Sequence, residues 1–169
     1  YAGVREPEVL FATWERILQT HPELTEKIVL QVFGPFYEAR RSVYTSWQKK
    51  LGDHLQINTS LPRVVALAAS QQMDALINLG NTTDYQLPSK TPDYLATGLP
   101  IINIQQHPDC AFGHALVDYP GLLTIKLGEE EIELRSGWWE KRYGDELVGQ
   151  MLAPYWIEEV ARGFLQQED

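Results

Sequence analysis

The chain has 169 residues, 44% of them hydrophobic and 22% charged, enough for one domain with its own core. Its formal net charge of −9 works against a phosphate-backbone footprint, so nucleic acid is not an expected partner. No apolar run approaches the ~18 residues that a bilayer crossing needs, and the single Cys110 can form no internal disulfide.

The chain opens on Tyr1-Ala2-Gly3-Val4, with no initiator Met and no basic-then-apolar leader, and this stretch reads as a strand end running into a turn. The expectation is a cytosolic fragment, the C-terminal part of a longer protein, with peripheral association at the inner face of a membrane as the alternative. Leu10, Trp14, Ile17 and Leu18 share one face of a helix that has Pro7 in its first turn and ends near His21-Pro22. Residues 27–33 are a β-branched strand closed by Gly34-Pro35, and 36–51 return to helical periodicity.

A short strand at 55–57 leads into Asn58-Thr59-Ser60, and Val64, Val65, Leu67 and Ala68 predict a helix capped by Ser60. A strand at 75–79, a polar loop, a short helix at about 90–97 and a strand at 100–104 follow. Further on, 122–127 reads as an edge strand and Glu129 to Glu133 as the start of a charged helix or loop. Leu152, Trp156, Val160 and Phe164 form the stripe of a C-terminal helix over 153–169. Strand and helix alternate, so the expected fold is α/β: a Rossmann-like, doubly wound parallel sheet of about six strands with helices on both faces, in one domain spanning 1–169.

In such a sheet ligands bind beyond the carboxyl ends of the strands. That expectation gathers Gly34, the turn Asn58-Thr59-Ser60 and the loop from Gly80 to Ser89 at one edge. Pro88 suits a helix start, which leaves Ser89 and Lys90 at a helix N-terminus where partial positive charge favours phosphate. Asp93, one turn on, offers a carboxylate that can accept from two adjacent ribose hydroxyls. The same residues also fit an ordinary helix start with a first-turn acid and Gly98 as its C-cap, and spacing does not choose between the two.

Three further features carry blander readings. His107, Asp109, Cys110 and His114 match no common zinc spacing and read as a surface loop, so no metal is expected. The pair Trp138-Trp139 reads as core closure. The run Glu129-Glu130-Glu131 reads as a solvated face with no catalytic role.

The stretch MDALINLGNTTDYQLPSKTPDYLATGLPIINI resembles the donor-binding half of GT-B glycosyltransferases, in particular bacterial polysaccharide enzymes close to family four. YAGVREPEVLFATWERILQTHPELTEKIVLQVFGP looks like the first turn, helix and Gly-ended strand of the same half, so the resemblance covers residues 1 to about 105. It reaches YWIEEVARGFLQ only loosely.

The resemblance implies a nucleotide-diphosphate-sugar donor, transfer to a saccharide acceptor in polysaccharide biosynthesis, and no cofactor. It places Arg5 facing the pyrophosphate, with Lys90 helping to stabilise the leaving phosphate. Asp93 takes the position of the family's ribose-binding Glu. Gly80, Asn81, Tyr85, Gln86 and Leu87 fall beside sugar and phosphates, and Asn58, Thr59 and Ser60 beside the base. Tyr85 stands where the family's first motif acid belongs, which leaves retaining or inverting stereochemistry open. The acceptor and the catalytic base would come from an N-terminal domain outside this sequence. A sugar-nucleotide epimerase of the same architecture, or a non-catalytic module of this fold, fits the same pattern.

Overall fold

The computed structural model describes residues 6–35, 38–129, 132–134 and 137–156. The chain divides into two compact units, Tyr1–Ala68 with Gly128–Glu133 and Ala69–Leu127 with Leu134–Asp169.

In the first unit, α1 (Pro7–Thr20) starts on a proline whose missing N–H is no loss at a helix start. It buries Phe11, Trp14, Ile17 and Leu18 along one face, worth about 1.5–3 kcal/mol for each large apolar side chain. It stops at His21, whose N–H donates to the Ile17 carbonyl at 2.9 Å before Pro22. Trp14 Nε1 donates to the His54 carbonyl at 3.0 Å, so the polar end of a buried ring is satisfied.

Helix α2 (Arg41–Leu51) presents Tyr44 and Trp47 to Phe11, with ring centroids 5.8 and 6.0 Å away. It ends at Gly52, where φ is 57°. Strands β1 (Leu30–Phe33) and β2 (Leu55–Asn58) pair in parallel, in register from Leu30↔Leu55 to Phe33↔Asn58.

Helix α3 (Arg63–Ser70) leads into the second unit. It begins after Pro62, whose carbonyl accepts from the Ala66 N–H at 2.9 Å, so Ser60 lies too early in the chain to cap it. The second unit holds β3 (Leu76–Leu79), α4 (Thr91–Leu95), β4 (Ile101–Gln105), α5 (Ala111–Ala115) and β5 (Leu122–Lys126). The three strands form a parallel sheet in the order β3-β4-β5. β4 is central and its first four residues are all buried, as the apolar run of a strand covered on both faces requires.

Leu76 and Ile101 meet Leu95, Leu99, Phe112, Leu116 and Tyr119 in the core, with Leu147, Met151 and Leu152 of α6 (Asp145–Leu152) packed against it. The segment before α6 closes the unit: Tyr143 N–H donates to the Gly98 carbonyl at 2.9 Å, and Arg142 donates to the Met73 carbonyl at 2.9 Å.

The α/β class with parallel strands agrees with the sequence expectation. The sheet differs, because five strands among the described residues form two separate sheets of two and three rather than one of about six. The helix expected over 153–169 is a 3₁₀ turn at Ala153–Tyr155 in its described part, and Trp156 is extended with ψ 142°. Pro154 has no N–H to continue the α6 ladder. Val160 and Phe164 lie outside the described residues. So do Glu130 and Glu131. Among the described residues no helix is long and apolar enough to cross a membrane.

Candidate functional site at a carboxyl edge

The second unit carries the loop from Gly80 to Lys90 beyond the carboxyl end of β3. Gly80 is held from both sides: its N–H donates to the Ile104 carbonyl at 2.9 Å, and its carbonyl accepts from Gln106 Nε2. A Cβ at Gly80 would lie 2.8 Å from the Ile104 oxygen and 3.6 Å from Cys110 Sγ. The neighbouring strand therefore accounts for the absent side chain, where the resemblance implies close approach to a ligand.

Asn81 is 4% exposed, and its Nδ2 donates to the Gln86 carbonyl at 2.8 Å, which draws residues 82–85 into a closed turn. Leu87 packs against the core and Pro88 is buried. The N–H and Oγ1 of Thr91 both donate to the Pro88 carbonyl, at 3.0 and 2.6 Å. With both ends fixed, the loop leaves Tyr85 82% exposed and Gln86, Ser89 and Lys90 exposed as well. Thr83 Oγ1 is buried with no hydrogen-bond partner among the described residues, which costs about 1–3 kcal/mol.

The helix start offers an anion less than the sequence suggests. α4 begins at Thr91, whose N–H is engaged, and Pro92 has none. Backbone donors there are few, which leaves the Lys90 ammonium as the positive charge beside this helix start. Asp93 stands in the first turn, half-buried and already engaged in an interaction.

Beneath the loop runs a polar rung that the sequence reading passed over. Asn78, Asn103 and Thr124 are in register across β3, β4 and β5. Asn78 Nδ2 donates to Asn103 Oδ1 at 2.8 Å, with both side chains buried. Asn103 Nδ2 faces Cys110 Sγ at 3.7 Å. A visible signal existed, since an asparagine sits third in LINL and third in IINIQ, at matching places in two otherwise apolar strands.

The remaining residues of the expected site belong to the first unit. The Gly34 N–H donates to the Asn58 carbonyl at 3.4 Å at the carboxyl end of β1 and β2, and Thr59 and Ser60 follow, exposed. These residues and the Gly80 loop thus occupy the edges of two different sheets, not one common edge. Arg5 lies outside the described residues.

The marked electrostatic coupling lies in the first unit, between the start of α1 and the residue that precedes α2. Arg40 pairs with Glu6 and Glu8 at 3.1 Å, and its hydrogen bond and charge hold the Glu6 carboxyl below its ordinary range. Among the described residues no group of three or more His, Cys, Asp or Glu is placed to hold a metal. His107 Nδ1 instead accepts from the Asp109 N–H at 3.1 Å, and Cys110 is buried. Trp138 is also buried. No protein-family model, no curated protein and no solved structure matches this chain.

Proposed function

We propose that the chain is the nucleotide-sugar-binding half of a GT-B-type glycosyltransferase, acting with a separate acceptor-binding domain on a saccharide. The observation that carries this reading is the loop beyond β3: fixed at Gly80, Asn81 and Thr91, it turns Tyr85, Ser89 and Lys90 outward, with Asp93 one turn into the following helix. Such a position, beyond the carboxyl end of a parallel sheet, is where α/β folds bind ligands. The Lys90 ammonium suits a diphosphate, and the Asp93 carboxylate suits the paired hydroxyls of a ribose.

In transfer, the bond from the anomeric carbon to the diphosphate oxygen breaks, and negative charge grows on the leaving phosphate. Lys90 stabilises that charge, an interaction stronger in the transition state than in the ground state. The acceptor oxygen and the group that takes its proton come from the other domain. No metal is required in this scheme.

Calorimetric titration of the 169-residue chain with uridine diphosphate and guanosine diphosphate tests the reading. Saturable binding of one of them is expected, weakened at least about tenfold in Asp93→Ala and in Lys90→Gln, about 1.4 kcal/mol each. Absence of saturable binding to both nucleotides overturns it.

A further inference from the structure

At the amino ends of β1 and β2, opposite Gly34 and Asn58, the first unit carries a groove. Helix α2 stops at Gly52, a 3₁₀ turn (Gly52–His54) reverses the chain, and β2 begins at Leu55. The register Leu30↔Leu55 brings Val29, just ahead of β1, to the same end of the sheet. Val29, Gln48, Gly52, Asp53, Leu55 and Gln56 together line a space of about 580 Å³, the size of a small-molecule site. Its frame is fixed from two sides. His54 Nδ1 donates to the Ile28 carbonyl at 3.4 Å, and the His54 carbonyl accepts from Trp14 Nε1 at 3.0 Å. Nothing stands within 4 Å of where a Cβ on Gly52 would lie, so the groove is open there.

The lining selects the ligand. The side chains of Gln48, Asp53 and Gln56 are exposed, and no hydrogen bond or ion pair engages them among the described residues. Two carboxamides donate and accept, and a carboxylate accepts. No Lys, Arg or His side chain lines the groove, so an anion meets Asp53 without a counter-charge. Val29, 44% exposed, and the buried Leu55 add an apolar strip. Hydroxyls that both donate and accept, carried on a ring with an apolar C–H face, match this set. We propose that the groove binds a neutral saccharide, at a site separate from the nucleotide edge and independent of the donor reading.

The test titrates the isotope-labelled chain, without nucleotide, with maltohexaose, cellohexaose and chitohexaose, and follows its amide signals by nuclear magnetic resonance. One of them should saturably shift the Gly52 backbone amide and the Gln48 and Gln56 side-chain amides, with a Kd of about 1 mM. Asp53→Ala and Gln56→Ala should each weaken that binding about tenfold. Because both side chains are exposed, neither substitution should move the thermal unfolding midpoint. No saturable shift of these amides by any of the three saccharides, or undiminished binding in both variants, overturns the proposal. So does a saturable shift of the same amides by spermidine or by uridine diphosphate in place of the saccharides, which would assign the groove to a cation or a nucleotide. Failure of the nucleoside diphosphates to bind, by contrast, overturns the donor reading alone.

Discussion

At Gly98 the backbone has φ 62°, and a Cβ there would press into the carbonyl of Tyr143. Alanine meets two penalties at once, a left-handed conformation and a collision with main chain that cannot rotate away. Gly98→Ala should destabilise the protein by about 2–5 kcal/mol in chemical denaturation. The glycine's role as a helix stop is visible in the sequence, because glycine is the residue that enters the left-handed region after a helix. The Tyr143 contact is not visible there, since nothing local to residue 98 indicates which distant segment will cross it.

Tyr119 is the buried counterpart. Its hydroxyl donates to the Leu99 carbonyl at 2.8 Å, and burial pushes its pKa well above the ordinary phenol value. With the folded pKa raised, the stabilisation is complete below the unfolded value of about 10 and is lost as pH climbs toward the folded value. Urea denaturation between pH 8 and 11 should show stability falling above pH of about 10. Tyr119→Phe should flatten that decline and cost about 1 kcal/mol at neutral pH through the lost hydrogen bond.

At the scale of elements, β3 and β4 are joined by more than their backbone ladder. The Asn78–Asn103 bond fixes the two strands side chain to side chain, and a one-residue slip of either strand would put the two amides on opposite faces of the sheet. Asn103→Leu leaves a buried amide without its acceptor and should cost about 2–3 kcal/mol. Adding Asn78→Leu should cost less than the sum of the two single changes, as a double-mutant cycle would measure.

Element types were largely legible: α1, α2 and all five strands fall where periodicity and β-branched runs put them, within a few residues. Among the described residues two α-helices were missed. α5 is five residues long and holds a glycine, Gly113, so it carries less than two turns of pattern. α6 is eight residues long with Gly149 in its middle, and the sequence reading assigned no helix there.

For the molecule as a whole, the sequence pattern stated that strands are parallel and alternate with helices, but not which strand lies beside which. Lateral pairing depends on contacts among residues far apart in sequence, and an alternating pattern is equally compatible with one sheet or two. The junction falls at α3, an apolar helix none of whose residues is fully buried. The loop at 80–90 was legible as unusual because of its composition. Its internal division was not: Gly80, Asn81 and Leu87 shape the loop, while Tyr85, Ser89 and Lys90 face outward.

The hydrogen bond from Arg142 to the Met73 carbonyl has a consequence for the nascent chain. The two partners are 69 residues apart. At a synthesis rate of about 5–20 residues per second, Met73 waits about 3–14 s for the residue that completes its surroundings. During that interval β3, β4 and β5 have all been made, while Tyr143 and α6, which help close their apolar side, have not. The sheet of the second unit therefore passes through a stage, on every molecule synthesised, in which its greasy flank is open to chaperones and to neighbouring chains.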